Sequence, residues 1–226
     1  MKKKAKWIAA ALLCVIAVVF TVLVLTVDRQ PIAVNGSEVG FASFNQKAKD
    51  YIRTNDAWYQ VTGILGYAAL GLAALFALLG LWQWIRRRSL KKVDPKLFCL
   101  GGLYVLTGAL YLLFEKAVVN MRPVLEDGKA EASFPSSHTV LACVIFFSAV
   151  FFLEDYVKNG VLRSILSLVL GAAVGASVVG RLLSGVHWAT DIIGGVLYSA
   201  ALLALFIAAI ASLPAPKAPE KSETKE

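Results

Sequence analysis

The sequence predicts an all-α, polytopic membrane protein with six transmembrane helices in one bundle and an active site at the external membrane face. Three observations lead there. Of the 226 residues, 58% are hydrophobic, whereas a soluble domain of this size is nearer half apolar. The excess is segregated into runs of about 20 residues, the length that crosses a hydrocarbon core. The formal net charge of +8 sits in basic clusters that flank those runs. That is the pattern of topogenic charge, not of a nucleic-acid surface.

The first span is residues 7–27, preceded by four lysines within Met1–Lys6. It is long for a signal peptide and has no small-x-small cleavage site before Asp28, so it reads as a retained anchor. Leu13 before Cys14 also spoils a lipoprotein cleavage site. A polar segment follows, Asp28 to Asp56. Within it, Ser43-Phe44-Asn45-Gln46 has the capping-box pattern. Phe44, Ala48, Tyr51 and Ile52 then recur at helical spacing, which predicts a short amphipathic helix on the membrane surface.

The second span, 58–85, exceeds the bilayer thickness and is expected to tilt or protrude. Arg86 to Lys92 is a basic stop-transfer loop. Asp94-Pro95 starts a helix, because proline is tolerated in a first turn. The remaining spans are 97–114, 137–153, 163–181 and 188–212, giving one domain over 1–212. Residues 213–226 are rich in Pro, Lys and Glu and read as a disordered cytoplasmic tail.

Six spans put both termini and the Arg86–Lys96 loop in the cytoplasm, with the loops after odd-numbered spans outside. The aromatic belts follow, with Trp7, Trp82 and Trp84 at inner ends and Trp58 and Trp188 at outer ends. Gly171 to Gly175 is a small-xxx-small packing pattern. Cys14, Cys99 and Cys143 lie in apolar runs and match no metal or disulfide pattern, so they read as packing residues.

Three windows fall on the predicted external face: Lys116 to Pro123, Ala132 to His138 and Gly180 to Asp191. They hold both histidines of the chain and three cations beside apolar runs, where a charge is costly. His187 and Asp191 share one helical face. Asp191 there can accept the Nδ1 proton of the imidazole and leave Nε2 as a nucleophile or base. Ser136 or Ser137 would cap the next span, whose free N–H groups form an anion site. His138 at that end could protonate a leaving group, and Lys116, Arg122 and Arg181 could neutralise phosphoryl oxygens. Taken singly, these residues read as a helix start and snorkelling interface cations. The functional reading comes from their arrival on one face.

Together the windows resemble the three-part signature of the type 2 phosphatidic acid phosphatase superfamily. Its pattern is Lys-x6-Arg-Pro, Pro-Ser-x-His and Ser-Arg-x5-His-x3-Asp. The second window matches, with Ser137 where glycine is common. The third matches from Arg181 through His187 to Asp191, with Gly180 in place of the usual serine. In the first, five residues rather than six separate Lys116 from Arg122.

The resemblance implies that His187 attacks phosphorus and forms a phosphohistidine, that Asp191 orients His187, and that His138 protonates the leaving oxygen. Lys116, Arg122, Ser136, Ser137 and Arg181 would hold the phosphoryl oxygens. No metal and no cofactor is implied, and no Asp/Glu/His cluster in the sequence suggests a metal site.

The function expected is an integral membrane lipid phosphatase whose partners are the bilayer and a lipid phosphate, not nucleic acid. Undecaprenyl diphosphate is favoured because the site faces outwards. Phosphatidylglycerophosphate and phosphatidic acid are the alternatives. A phosphotransferase that passes the phosphoryl group to another lipid or glycan has the same motifs. The sequence does not fix the oligomeric state.

Overall fold

The structure is a computed structural model, and it describes residues 2–52, 54–126 and 128–214. The expected tail at 213–226 lies outside the described residues from 215 onwards. Apolar run length sets the main elements. Six helices are long and apolar enough to span a bilayer: α1 Lys3–Thr26, α3 Asp56–Arg87, α4 Pro95–Ala117, α5 Ser137–Tyr156, α6 Gly160–Leu183 and α7 Ala189–Ser212. The short helix α2 is Ala42–Tyr51, and a 3-10 turn covers Leu90–Lys92.

Four of the six spans, α3 to α6, start where a polar N-cap side chain accepts from a free N–H group of the helix end. Asn55 accepts from Trp58 N–H, Asn159 from Leu162 N–H, and Asp94 from Lys96 N–H with Pro95 in the first turn. At 1.5 Å per residue, the 32 residues of α3 reach about 48 Å, well beyond a ~30 Å hydrocarbon core. Its C-terminal turn carries Arg86 and Arg87 out past the apolar run.

Helix α5 is the centre of the bundle. Val140, Val144 and Phe152 on one side join a core with Leu97, Leu100 and Leu103 of α4 and Leu202 and Phe206 of α7. Ala142, Cys143, Ile145 and Phe146 on the other side meet Ala69 of α3 and Val174 of α6. Helix α1 lies antiparallel along α7. Trp7 donates to Ser212 Oγ at one end, and Thr21 bonds Tyr198 Oη at 2.8 Å towards the other. Such interhelical bonds stabilise by about 0.6 kcal/mol each in a membrane. The face α1 buries is small, Ala10, Ala17 and Val24, at a seven-residue repeat. The opposite face exposes Ile8, Leu12, Val15 and Val19, as a lipid-facing helix should.

The ends carrying the three windows are drawn together by close backbone approaches. A Cβ at Gly194 would lie 2.4 Å from the Phe134 ring, and one at Gly195 would lie 2.9 Å from Thr139. Only glycine lets the start of α7 reach the start of α5, and Ser136 N–H then donates to Asp191 O at 3.0 Å. On the third side, a Cβ at Gly180 would lie 2.7 Å from Trp58 and Thr62 of α3.

Two expectations change. The amphipathic helix forms, but Ser43 does not cap it. Phe41 holds the N-cap in a left-handed conformation, and Ser43 N–H donates to Asp28 Oδ2 instead. Its buried side includes the polar Asn45, which donates to Gly40 O and Thr190 Oγ1 and accepts from Thr190 N–H. Each bond adds about 1 kcal/mol net and pins α2 to the start of α7. Phe44 and Tyr51 face outwards. Trp188 is not an interfacial aromatic. It is buried, and its indole N–H donates to Met121 O at 2.7 Å.

Candidate active site

The site is built at the bundle end where α4 and α6 finish and α3, α5 and α7 begin. Val118 adopts a left-handed conformation after α4, which turns the chain across the bundle. The chain then doubles back. Met121 pairs with Ala132, Arg122 N–H donates to Glu131 O, and Glu126 pairs with Lys129 at the tip. This hairpin delivers Arg122 inward, where it is 7% exposed. Its guanidinium forms an ion pair with Glu126, and Glu131 is farther off at 3.7 Å.

Arg181, from the last turn of α6, is buried at 1% exposure. Its Nη2 is 2.9 Å from His138 Nδ1, and its guanidinium lies 5.2 Å from the Tyr59 ring centroid. A guanidinium can only donate, so His138 Nδ1 accepts and the ring proton sits on Nε2. Helix α3 comes close to that ring, since a Cβ at Gly66 would lie 3.1 Å from His138 Cδ2.

His187 lies in the short break between α6 and α7 and is 5% exposed. Both its ring nitrogens are buried and have no hydrogen-bond partner among the described residues, and the same holds for Arg122 Nε and Arg181 Nε. Burial holds the imidazole well below its usual pKa, and the charges of Arg122 and Arg181 act the same way. His187 is therefore neutral near pH 7 and carries a free lone pair.

Asp191 is fully buried behind it. Its Oδ2 is 3.6 Å from His187 Nδ1, which is beyond hydrogen-bonding distance. The expected imidazole–carboxylate bond is stretched because that oxygen already accepts from Trp188 N–H at 2.8 Å. Asp191 thus caps α7 and faces His187 at once. Its other oxygen accepts from Asn120 Nδ2 at 3.3 Å.

Arg122, Ser137, His138, Arg181 and His187 all line one cavity of about 1120 Å³. Its polar end is this cluster. The rest runs between α3 and α4 along apolar walls such as Leu70, Leu110 and Ile145. The two helices are joined near the 3-10 turn, where Gln83 accepts from Asp94 N–H. They are parted by the cavity towards the other end.

Three proposed site residues stand elsewhere. Asp191 is behind His187. Ser136 is wholly buried and accepts from the Thr139 hydroxyl, so only the start of α5 beyond it faces the cavity. Lys116 is exposed on the last turn of α4 and outside the lining. We expect Lys116→Ala to keep kcat/KM within about threefold of wild type, as surface changes do. Arg122→Ala should lose on the order of a hundredfold or more, as loss of one transition-state donor does. Parallel rate measurements on the two variants check this.

The site also contains groups that the sequence did not single out. Tyr59 lies under Arg181, Glu126 pairs with Arg122, and Asn120 orients Asp191. Asn120 stands two residues before Arg122 in the first window, the one local signal available. Among the described residues, no group of three or more His, Cys, Asp or Glu side chains is gathered to hold a metal ion.

A family model described as the PAP2 superfamily matches residues 66–213. No curated protein matches the chain. Among solved structures, the chain is similar to the first transmembrane PAP2 type phosphatidylglycerolphosphate phosphatase from Bacillus subtilis. The TM-score is 0.58 at 18% identity, over 88% of this chain and 94% of that one. At that identity the likeness concerns the fold, a helical membrane bundle.

Proposed function

The chain belongs to the PAP2 superfamily, and from that membership we propose that it is an integral membrane phosphatase removing the terminal phosphate of a lipid phosphate or diphosphate. The observation that carries the reading is His187, a neutral imidazole with both nitrogens unbonded, in one cavity with Arg122 and Arg181.

In the proposed reaction, Arg122, Arg181 and the N–H groups at the start of α5 hold the phosphoryl oxygens. His187 Nε2 donates its lone pair to phosphorus as the bond to the leaving oxygen breaks. The bound phosphate draws the Arg181 guanidinium off His138 Nδ1, that nitrogen takes up a proton, and the resulting imidazolium gives its Nε2 proton to that oxygen. Asp191 stabilises the positive charge that His187 gains. A water molecule then attacks the phosphohistidine, loses a proton to His138 and releases inorganic phosphate, which regenerates His187. The apolar length of the cavity between α3 and α4 suits a lipid tail that reaches the site sideways from the bilayer.

Undecaprenyl diphosphate is the preferred substrate of this reading, and the argument for it is sidedness. Phosphatidylglycerophosphate is the second reading, since the similar solved structure is described as a phosphatase of that lipid. Phosphatidic acid is the third. The test is phosphate release by purified protein in detergent, with undecaprenyl diphosphate the fastest substrate. Faster release from phosphatidylglycerophosphate would reassign the substrate. Release only when a second lipid or glycan is supplied would make the protein a phosphotransferase.

With guanidinium groups taking the charge, activity should survive EDTA and be inhibited by vanadate, which can bond His187 as a five-coordinate phosphorus mimic. Loss of activity in EDTA, restored by Mg²⁺, would contradict this assignment of roles.

Sidedness has its own test. Basic residues at Lys2–Lys6 and Arg86–Lys92 mark the end opposite His187 and support a cytoplasmic location for that end. In a background with Cys14, Cys99 and Cys143 replaced, Lys129→Cys should react with an impermeant maleimide on intact cells, and Lys91→Cys should not. Lys129 is preferred to its neighbour Gly128 as the probe position, because the φ of +76° at Gly128 disfavours cysteine. The reverse labelling pattern would invert the topology and remove the case for an external substrate.

A further inference from the structure

Three glutamates line the cavity, Glu115, Glu126 and Glu131. Glu126 makes the closer pair with Arg122, Glu131 standing off at 3.7 Å, and the proposed reaction has no step for it. Glu126 lines the cavity with Arg122, Arg181 and His187. Its Oε2 pairs with Arg122 Nη1. Its Oε1 accepts from Tyr59 Oη at 2.7 Å, and the Tyr59 ring lies against the Arg181 guanidinium. Burial by itself would raise the Glu126 carboxyl. The Tyr59 hydrogen bond and the charges of Arg122 and Arg181 together outweigh it and hold the group below the ordinary carboxylate value. Glu126 is therefore an anion at neutral pH, seated on an arginine of the phosphate site.

The cavity is open to lipids. Most anionic bilayer lipids present a phosphodiester with a single charge, and two unoccupied guanidinium groups would bind them. We infer that Glu126 is a specificity-determining residue, a built-in competitor that holds Arg122 against singly charged phosphodiester headgroups and yields it to a terminal phosphate.

The charges set the outcome. A carboxylate and a phosphodiester each carry one negative charge, but the carboxylate is tethered. Tethering gives it the effective concentration of an intramolecular ligand. A phosphodiester entering beside it also meets like charge. A terminal phosphate carries about −1.5 to −2 and three strong acceptor oxygens, enough to engage Arg122 and Arg181 together. Glu126 can leave by side-chain rotation, because its backbone stays fixed by the mutual bonds with Lys129 at 3.0 and 2.9 Å.

This inference rests on the phosphate-site reading above, and its test separates the two. The full chain in neutral detergent is melted at pH 7 with increasing inorganic phosphate or diethyl phosphate, a singly charged diester. Wild type should be stabilised by phosphate and not by the diester. Glu126→Gln should be stabilised by both, with diester affinity raised on the order of tenfold or more. Tyr59→Phe removes only the hydroxyl that steadies Glu126 and should shift the same way by less; it carries the test if the Gln variant does not fold. Equal diester binding by wild type and variants, or none by any of them alongside phosphate binding, would overturn the role of Glu126 and leave the phosphate site standing. No stabilisation of any protein by inorganic phosphate would overturn both.

Discussion

His187→Ala should fold normally and release no phosphate from any lipid. Loss of a covalent nucleophile costs on the order of a million-fold where the whole catalytic unit depends on it. No side chain nearby can replace it. His138 is the only other histidine in the chain, and its Nδ1 is engaged by Arg181. Folding should survive because the His187 ring makes no hydrogen bond that would be lost. Its removal enlarges a cavity that is already open and takes a desolvated group away from two guanidinium charges. The measurements are phosphate release beside a melting curve and a gel-filtration profile. A well-folded variant with turnover within tenfold of wild type would remove His187 from the nucleophile role.

The six spans were legible because a bilayer demands long apolar runs, and their number and order follow from counting. Their ends were not. Lys3, Asp56 and Arg87 all lie inside helices, because hydrogen bonding continues into the headgroup layer after hydrophobicity stops. Helix α2 shows the limit of periodicity. The apolar stripe predicted a helix, but two of its residues, Phe44 and Tyr51, face outwards while the polar Asn45 faces in. Its partner Thr190 is 145 residues away, beyond any local pattern.

The candidate site was legible to the extent that it is written in motifs. His138, Arg181 and His187 converge because five helix ends meet, with the hairpin after α4 carrying Arg122 to them, and spacing within each window already put them near those ends. Lys116 shows what spacing cannot give. With Val118 in a left-handed turn, the lysine is left on the outer side of α4 while Arg122 is carried inward. Glu126 and Tyr59 carried no sequence signal, since a glutamate in a polar loop and a tyrosine at a span start are both ordinary. Their meaning lies in a contact across 67 residues.

Asp191→Asn should lower turnover by up to about ten thousandfold, the loss seen when a triad aspartate becomes asparagine. The change keeps shape and removes charge. Asparagine has one acceptor oxygen, and the Trp188 N–H at the start of α7 needs it. The new amide nitrogen then faces Asn120 Nδ2, donor against donor. Asn120 can relieve this by turning over, but its oxygen would leave the Gly40 N–H that it now accepts from at 3.2 Å. A donor turned instead towards His187 would favour the tautomer with its lone pair on Nδ1 and its proton on Nε2, the nitrogen that must attack phosphorus. Either way the site loses the negative charge that supports the imidazole as it becomes cationic. Two readouts separate the roles of the residue. A fall in kcat with a melting temperature lowered by only a few degrees would assign Asp191 to catalysis as well as capping. Unchanged kcat with the same loss of stability would leave it as the cap of α7 alone.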